Sequence, residues 1–558
     1  MGTSVVTRRW QLSGKKWAAL SSFTHNRFGD LRMGRRSGRP EYLRPFFVQR
    51  IDGEDRLVEN PDPLVQHPTG YEQFNFMQKL RYQPHADWDL EYAFHLSETG
   101  DFPRYDRLIE TQADGSPRSA DWRYGPQIWR MQLLSALHQG QNAFYDQLAI
   151  RLAHQYFEES RINRNFSGGQ RFRLRTNLEE VTALSAQVDA EKSWGRQQLF
   201  YGVEYIRNAV SSTGSAIDIR DGSPIAVPDR YPQGTWTSYA AYLNYRWTLQ
   251  ERWVLQAGLR HGGFGIAADF RRQLAFFPFD FEQSNLHNQA TTGSAGLIWM
   301  PDDSWTLSGT LSTGFRAPNL DDIGKIFDFV GGEVLVPNPS LDAEYAYNAE
   351  LHASKVVGDW LKLDFTSYYT YLDAAIVRRP FQIAGQDSIR FNDVPSRVLA
   401  LQNAAFGRVW GFHLGFEALL AKGLTLNTRY NFQRGQEELE DGTVSASRHA
   451  APAFGQSQLR YQNKAFTGIL YVQYSAEVPF ERLAEEERQK PALYVRDENE
   501  QLFSPGWSTW NLKLLWNMAE RYQLSAGVEN LLDLQYRPYS SGIVAPGRNV
   551  TLAFRAHF

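Results

Sequence analysis

The last ten residues read Asn549-Val550-Thr551-Leu552-Ala553-Phe554-Arg555-Ala556-His557-Phe558. Val550, Leu552, Phe554, Ala556 and Phe558 fall on one side of an extended chain, and Asn549, Thr551, Ala553, Arg555 and His557 on the other, because successive side chains of a strand point to opposite faces. One face suits lipid and the other water. A half-buried edge strand of a soluble sandwich alternates in the same way, so the decapeptide is read together with what precedes it.

Upstream the pattern recurs: Trp88, Leu90, Tyr92, Phe94 and Leu96; Tyr239, Ala241, Leu243, Tyr245 and Trp247; Leu424, Leu426, Thr428, Tyr430 and Phe432. Such runs are joined in pairs by a few residues of turn chemistry. These turns stand at Ser13-Gly14-Lys15-Lys16, Pro84-His85-Ala86-Asp87, Gln139-Gly140-Gln141-Asn142, Gln250-Glu251-Arg252, Pro301-Asp302-Asp303, Val357-Gly358-Asp359, Ala421-Lys422-Gly423, Gln462-Asn463-Lys464 and Met518-Ala519-Glu520. Every other connection is long and polar, the first reaching about Gly70. Short turns on one side and long loops on the other are the asymmetry of an all-β fold, the transmembrane antiparallel β-barrel, with short periplasmic turns and long extracellular loops. Closure follows from physics, since hydrocarbon offers no partner for the N–H and C=O groups of a sheet edge.

About 21 strands are visible by this reading. The last runs from a long loop to the short-turn side, which makes the C-terminus periplasmic, and the first visible strand also runs inward. Single-chain bacterial barrels have an even number of strands, so about 22 are expected in the full protein, a size that goes with a plugged lumen. Residues 1–558 are thus expected to be one barrel domain, with a plug and a first strand N-terminal to it. Met1-Gly2-Thr3 leads into a polar segment without a signal peptide, so a processed or truncated chain is expected.

Composition narrows the function classes. Aromatics make up 14% of 558 residues, with 27 Tyr and 16 Trp, which suits interfacial girdles. No run approaches the ~18 apolar residues of a helical span. A net charge of −3 gives no basic field for nucleic acid. With no cysteine there are neither disulfides nor thiolate metal sites. The 12 His are scattered without H-E-x-x-H spacing. Ser167-Gly168-Gly169 precedes a strand and not a helix, so it is no phosphate loop, and no Ser-His-Asp order is present. Neither enzyme activity nor a cofactor is expected. Asp321-Asp322 and Glu485-Glu486-Glu487, followed by Arg488, read as solvated loop faces or as partners for divalent ions at lipopolysaccharide.

At Ser312 to Leu341 the chain reads S-T-G-F-R-A-P-N-L-D-D and then, after an interval, V-P-N-P-S-L. Phe315, Arg316, Ala317 and Pro318 resemble the first box, and Asn338, Pro339 and Leu341 the second, of TonB-dependent outer-membrane receptors, in particular the haem and iron-complex branch; Ser340 stands where that pattern has Asn. Gly527 to Tyr539, G-V-E-N-L-L-D-L-Q-Y-R-P-Y, is similar to that family's penultimate strand and last loop. Phe28 to Gly34 and Pro103 to Leu108 look like the Bacteroidetes-type subgroup. The terminal Phe558 resembles the end of outer-membrane barrels, where it forms part of the assembly signal read by the barrel assembly machinery.

The resemblance implies active uptake of an iron complex, a siderophore or haem, or a similar scarce nutrient, driven by the TonB-ExbB-ExbD system through the plug, in a barrel surrounded by outer-membrane lipid and lipopolysaccharide. A plug-free passive porin and a surface adhesin are the alternatives. Ligand recognition belongs in the long loops. Arg104, Tyr105, Trp122 and Tyr124 offer charge and aromatic faces to an anionic, aromatic ligand. Haem-branch receptors carry a His between the two boxes, and this sequence departs from them there, since Asn319 to Pro337 holds none; His261 and His287, flanking one long loop, read as solvated, with iron or haem ligation as the alternative.

Overall fold

A computed structural model describes residues 2–557 except 278, 280, 325–326, 330–331, 392–393, 440, 449 and 520, so Phe558 and its part in assembly lie outside the described residues. The dominant element is one large sheet. Its wall strands are β1 Ser4–Ser13, β2 Trp17–Phe28, β3 Tyr71–Tyr82, β4 Trp88–Thr99, β5 Ile128–Gln139, β6 Gln147–Asn165, β7 Arg173–Trp194 and β8 Gln197–Asp218. Then come β9 Gln233–Gln250, β10 Trp253–Asp269, β11 Gln283–Trp299, β12 Trp305–Arg316, β13 Glu344–Val357, β14 Leu361–Pro380, β15 Val394–Ala421 and β16 Leu424–Glu438. The wall ends with β17 Phe454–Gln462, β18 Phe466–Ser475, β19 Trp507–Ala519, β20 Tyr522–Glu529 and β21 Asn549–Ala556.

Each wall strand pairs antiparallel with the next, from β1 with β2 to β20 with β21. Direction therefore reverses at every step, and β1 and β21 run the same way. The expected turns fall between the strands that the sequence places around them, Glu520 of the last one lying outside the described residues. One further turn, between Trp194 and Gln197, was not among them: Gly195 takes φ +57° there and closes β7 onto β8, the conformation a two-residue hairpin needs.

In the last strand the apolar set stands free of any protein core, with Leu552 74% and Phe554 61% exposed, and Thr551, Ala553 and Arg555 on the opposite face are exposed too. Leu134, Leu184, Leu259, Leu311, Leu351 and Leu414 are likewise exposed along the wall. Each such side chain gains about 1.5–3 kcal/mol on leaving water, so a continuous apolar band of this kind is stable against lipid and not against solvent. At the short-turn ends of the strands Trp17, Trp194, Trp247, Trp299, Trp305, Trp360 and Trp516 are exposed, an aromatic girdle on that rim. Trp17 stacks on Tyr82 at 4.0 Å and Trp253 on Trp299 at 5.3 Å.

The buried residues gather at the other rim, where the long connections fold together in two sectors. In the first, Phe264, Ile266 and Ala268 of β10 meet Phe270, Phe277, Leu320, Ile323, Val334, Val336, Leu341 and Val398. Alternation along β10 sets these even-numbered residues opposite the exposed Leu259, so this core lies on the face away from the apolar belt. Within it, Glu333–Val336 pairs in parallel with residues 397–400 of β15.

The second sector joins connections 29–70, 476–506 and 530–548, with Met33, Tyr42, Val495 and Val544 in one cluster and Val478, Leu483, Tyr494 and Leu502 in another. It bridges the two ends of the wall. Buried Gln66 donates from Nε2 to the Val544 carbonyl at 2.7 Å and accepts from the Val544 N–H at 2.8 Å. The Gly547 N–H donates to the Arg32 carbonyl at 2.9 Å, and the Arg35 N–H to that of Asp533 at 3.1 Å. Backbones approach so closely that a Cβ on Gly34 would sit 2.3 Å from the Leu534 carbonyl oxygen, which only glycine permits.

Candidate functional site at the long-loop rim

The two motif boxes occupy the first sector. Phe315, at the end of β12, stacks on Phe264 at 6.1 Å and tilts against Tyr345 at 6.4 Å, and Ala317 packs on the same core. Arg316 ends β12 with a fork: Nη2 donates to both carboxylate oxygens of Asp322 at 2.7 Å, and Nη1 reaches Glu344 at 3.2 Å. Asp322 also accepts the Asn319 N–H at 3.0 Å and thereby fixes the start of helix α1, Leu320–Gly324. Pro318 is buried beside it. In the second box Asn338 donates from Nδ2 to the Leu401 carbonyl at 2.6 Å and accepts the Ser340 N–H at 3.0 Å, while Leu341 is only 1% exposed. These residues form a frame that ties one long connection to β15.

Against that frame lies a cavity of about 560 Å³, bounded by Pro337, Pro339, Ser340 and Asp342 on one side and by Phe381, Gln382, Gln402 and Asn403 on the other, with Phe281 at its edge. Asn403 donates to the Asp342 and Ala374 carbonyls, both at 3.0 Å, which braces the wall where β14 bulges at Ala374. Sequence reading did not single out this cavity. A signal was present in the connection from Phe276 to Phe281, which is too rich in Phe for a solvated loop.

Three of the four loop residues chosen from sequence, Arg104, Trp122 and Tyr124, come together. Arg104 lies over the Trp122 ring at 4.9 Å and the Tyr124 ring at 5.2 Å, and donates to the Tyr124 hydroxyl at 2.5 Å. Its fork is already engaged, with Nε and Nη2 bound to Asp106 at 2.8 and 2.7 Å. An anion arriving here has to share or displace that carboxylate. Tyr105, next in sequence, is 2% exposed and lies under Arg44 at 5.6 Å. Arg161 covers the far side of Tyr124 at 5.5 Å and pairs with Glu159 at 2.7 Å and Glu179 at 3.1 Å.

His261 and His287 lie elsewhere. Both are within strands, β10 and β11, and not in the loop between them. His261 opposes Thr291, whose hydroxyl is 2.8 Å from Nδ1, and His287 opposes Gly265. Both are on the face of Leu259, the belt face, and not beside the Arg104 cluster.

Within the acidic run Glu485 is exposed, as a solvated face expects, but Glu486 and Glu487 are not. Glu487 is fully buried. Arg448 at 3.0 Å, Lys490 at 3.1 Å, the Tyr494 hydroxyl at 2.5 Å and the Ser540 hydroxyl at 3.1 Å all point at its carboxylate. Burial pushes its pKa up, but these donors and the Lys490 charge outweigh it, so the net shift is downward. Glu486 pairs with Arg378 and Arg448. Asp322 is buried as well, under Arg316. The carboxylates fasten loops to one another.

A family model described as TonB dependent receptor-like, beta-barrel matches residues 9–531. The pesticin receptor of Yersinia pestis is 23% identical over 332 residues, 57% of this chain and 43% of that protein, so the match spans less than half its length. Among solved structures, the copper transporter OprC superposes with a TM-score of 0.74 at 14% identity, covering 100% of this chain and 79% of that one. The ferric yersiniabactin uptake receptor FyuA from Yersinia pestis gives 0.63 at 14% identity, covering 100% and 78%. At such identities the structural likeness is one of fold.

Proposed function

Because the chain belongs to the TonB-dependent receptor β-barrel family, we propose that it is the barrel of an outer-membrane transporter that actively imports an iron complex, a siderophore or haem, or a comparably scarce nutrient. The observation that carries this reading is the family match over residues 9–531. It is supported by the names of its relatives, which include a ferric yersiniabactin uptake receptor and an iron-regulated outer membrane virulence protein of Vibrio cholerae.

In this reading the loop rim faces outward and the C-terminus lies in the periplasm. The ligand is captured between the Arg104 cluster and the cavity beside Asn338. A plug supplied by residues outside this chain closes the lumen until the TonB-ExbB-ExbD system pulls on it, and one further strand, antiparallel to both β1 and β21, closes the sheet and gives the even strand number of single-chain bacterial barrels. The barrel assembly machinery inserts the product.

The test is growth of a deletion strain under iron limitation on a panel of ferric siderophores and haemin, complemented with the intact gene, with and without a functional TonB partner. Rescue by one iron source that vanishes without TonB is the expected result. Rescue that persists without TonB shows a passive channel, and no rescue by any source with normal surface binding shows a docking barrel; either overturns the proposal.

A further inference from the structure

The outer face of β14 to β16 carries a feature that substrate uptake does not use. Alternation there places Leu414, Phe412, Trp410 and Arg408 of β15 on the belt face, opposite Phe432, Arg434 and Gln436 of β16. Across the other side Tyr369 and Tyr371 of β14 oppose Trp410 and Arg408. Apolar residues thus give way to aromatics and then to two arginines, in register order, on one outward surface. Arg408 and Arg434 are diagonal neighbours, since Arg408 pairs with Gln436 and Trp410 with Arg434, which sets their backbones roughly 7–8 Å apart.

Neither guanidinium has a carboxylate partner among the described residues. Arg408 uses Nε on the Gln436 side-chain oxygen at 2.7 Å, and Arg434 rests over the Phe432 ring at 5.7 Å. Two acids share this face, each one step further up a flanking strand: Glu438 of β16, and Asp373 of β14, which accepts the N–H of Ala374 at 3.1 Å. Height fixes what these cations meet. Arg434 is ten residues along β16 from its first residue, Leu424; at ~3.3 Å per residue and a tilt of roughly 40°, that is about 25 Å above the short-turn rim, the height of the hydrocarbon band of such barrels. Arg408, level with Gln436, stands about 5 Å higher by the same arithmetic.

We propose that Arg408 and Arg434 form a binding site for the phosphate of an anionic outer-leaflet lipid, lipid A being the occupant, with its acyl chains along Leu414, Phe412 and Phe432. Arginine is suited to this because its planar fork binds phosphate bidentately, and Trp410, Tyr369 and Tyr371 mark the depth at which a headgroup lies. The inference rests on the outer-membrane reading and on no assumption about the imported nutrient.

The experiment uses the full-length receptor from outer membranes, reconstituted in phosphatidylcholine nanodiscs with either bisphosphorylated or dephosphorylated lipid A, and native mass spectrometry reads the lipid A retained. The expected result is retention of the phosphorylated form alone, unaffected by millimolar inorganic phosphate, and about tenfold weaker retention in R408Q/R434Q. R408K/R434K, which keeps the charge, should retain an intermediate amount, and R207Q, which removes an outward arginine of β8 with no carboxylate partner among the described residues, should behave as wild type. Equal retention of dephosphorylated lipid A, displacement by free phosphate, no loss in the double variant, or an equal loss in R207Q would each overturn the proposal. The first two arms use unmodified protein, so a folding defect in a variant leaves the proposal testable, and transport plays no part in the readout.

Discussion

The two loop sectors of the rim hold long connections in place by different chemistry. Over β10 to β15 the material is area: Phe270, Ile323, Val334 and Leu341 are buried among other apolar side chains, and dispersion and water exclusion need no particular partner. Across the ends of the wall the material is direction. Gln66 grips the backbone of Val544, and Glu487 is ringed by four donors; each contact fails if its partner moves by an ångström. An apolar sector loosens gradually and tolerates shape change, whereas a polar one is either formed or broken.

The largest effect should come from Phe270→Ala, which opens a void in the apolar sector and costs about 3–5 kcal/mol there. Hydrogen exchange should report lost protection in 317–343 and 381–391 with the seam unchanged; protection lost equally in both sectors would show that they are one unit. Next, Glu487→Gln removes the charge that Arg448 and Lys490 share, for about 2–3 kcal/mol in the seam sector. Limited proteolysis should then cut within 476–506 and leave 317–343 intact.

Acid should separate the sectors without mutation. Burial pushes the Asp30 carboxyl up, yet the hydrogen bond to His67 and the N–H groups of Thr69 and Gly70 outweigh it and hold its pKa at about 2. A pKa depressed by folding supplies stability that is present above the ordinary carboxylate range and is lost as pH falls toward 2. Radical footprinting at stepped pH should find connection 29–70 opening between about pH 4 and pH 2, before the apolar sector responds; simultaneous opening would erase the distinction. The smallest effect is that of Arg316→Lys, which keeps the charge but loses the two-pronged contact with Asp322, for roughly 0.5–1 kcal/mol, visible as faster exchange in α1 alone.

The wall was legible in the sequence because a strand's two faces are written in neighbouring residues. Val550, Leu552 and Phe554 needed no distant information, and neither did turns such as Lys422-Gly423. The turn at Gly195-Arg196 escaped because two residues between long strands leave almost no turn composition to see. The rim was legible only in part. Arg104, Trp122 and Tyr124 could be grouped because one connection carries them all. Glu487 could not be read as buried, since its partners Arg448 and Ser540 arrive from other connections, and an acidic triplet in isolation has every reason to be solvated. His261 and His287 looked close enough to a loop to reach a ligand because periodicity does not say where a strand leaves the membrane, and β10 and β11 continue well past the belt.

The grip of Gln66 on Val544 spans 478 positions of sequence. Contacts of such separation form late, after the loop entropy between them has been lost, and this one needs β21 in its place beside β20 before Val544 is held where Gln66 can reach it. The apolar sector, assembled from residues 264–400, has no such wait. The seam therefore acts as a clasp on a finished object, and at neutral pH a protease that finds 29–70 open is reading a chain in which the clasp has not closed.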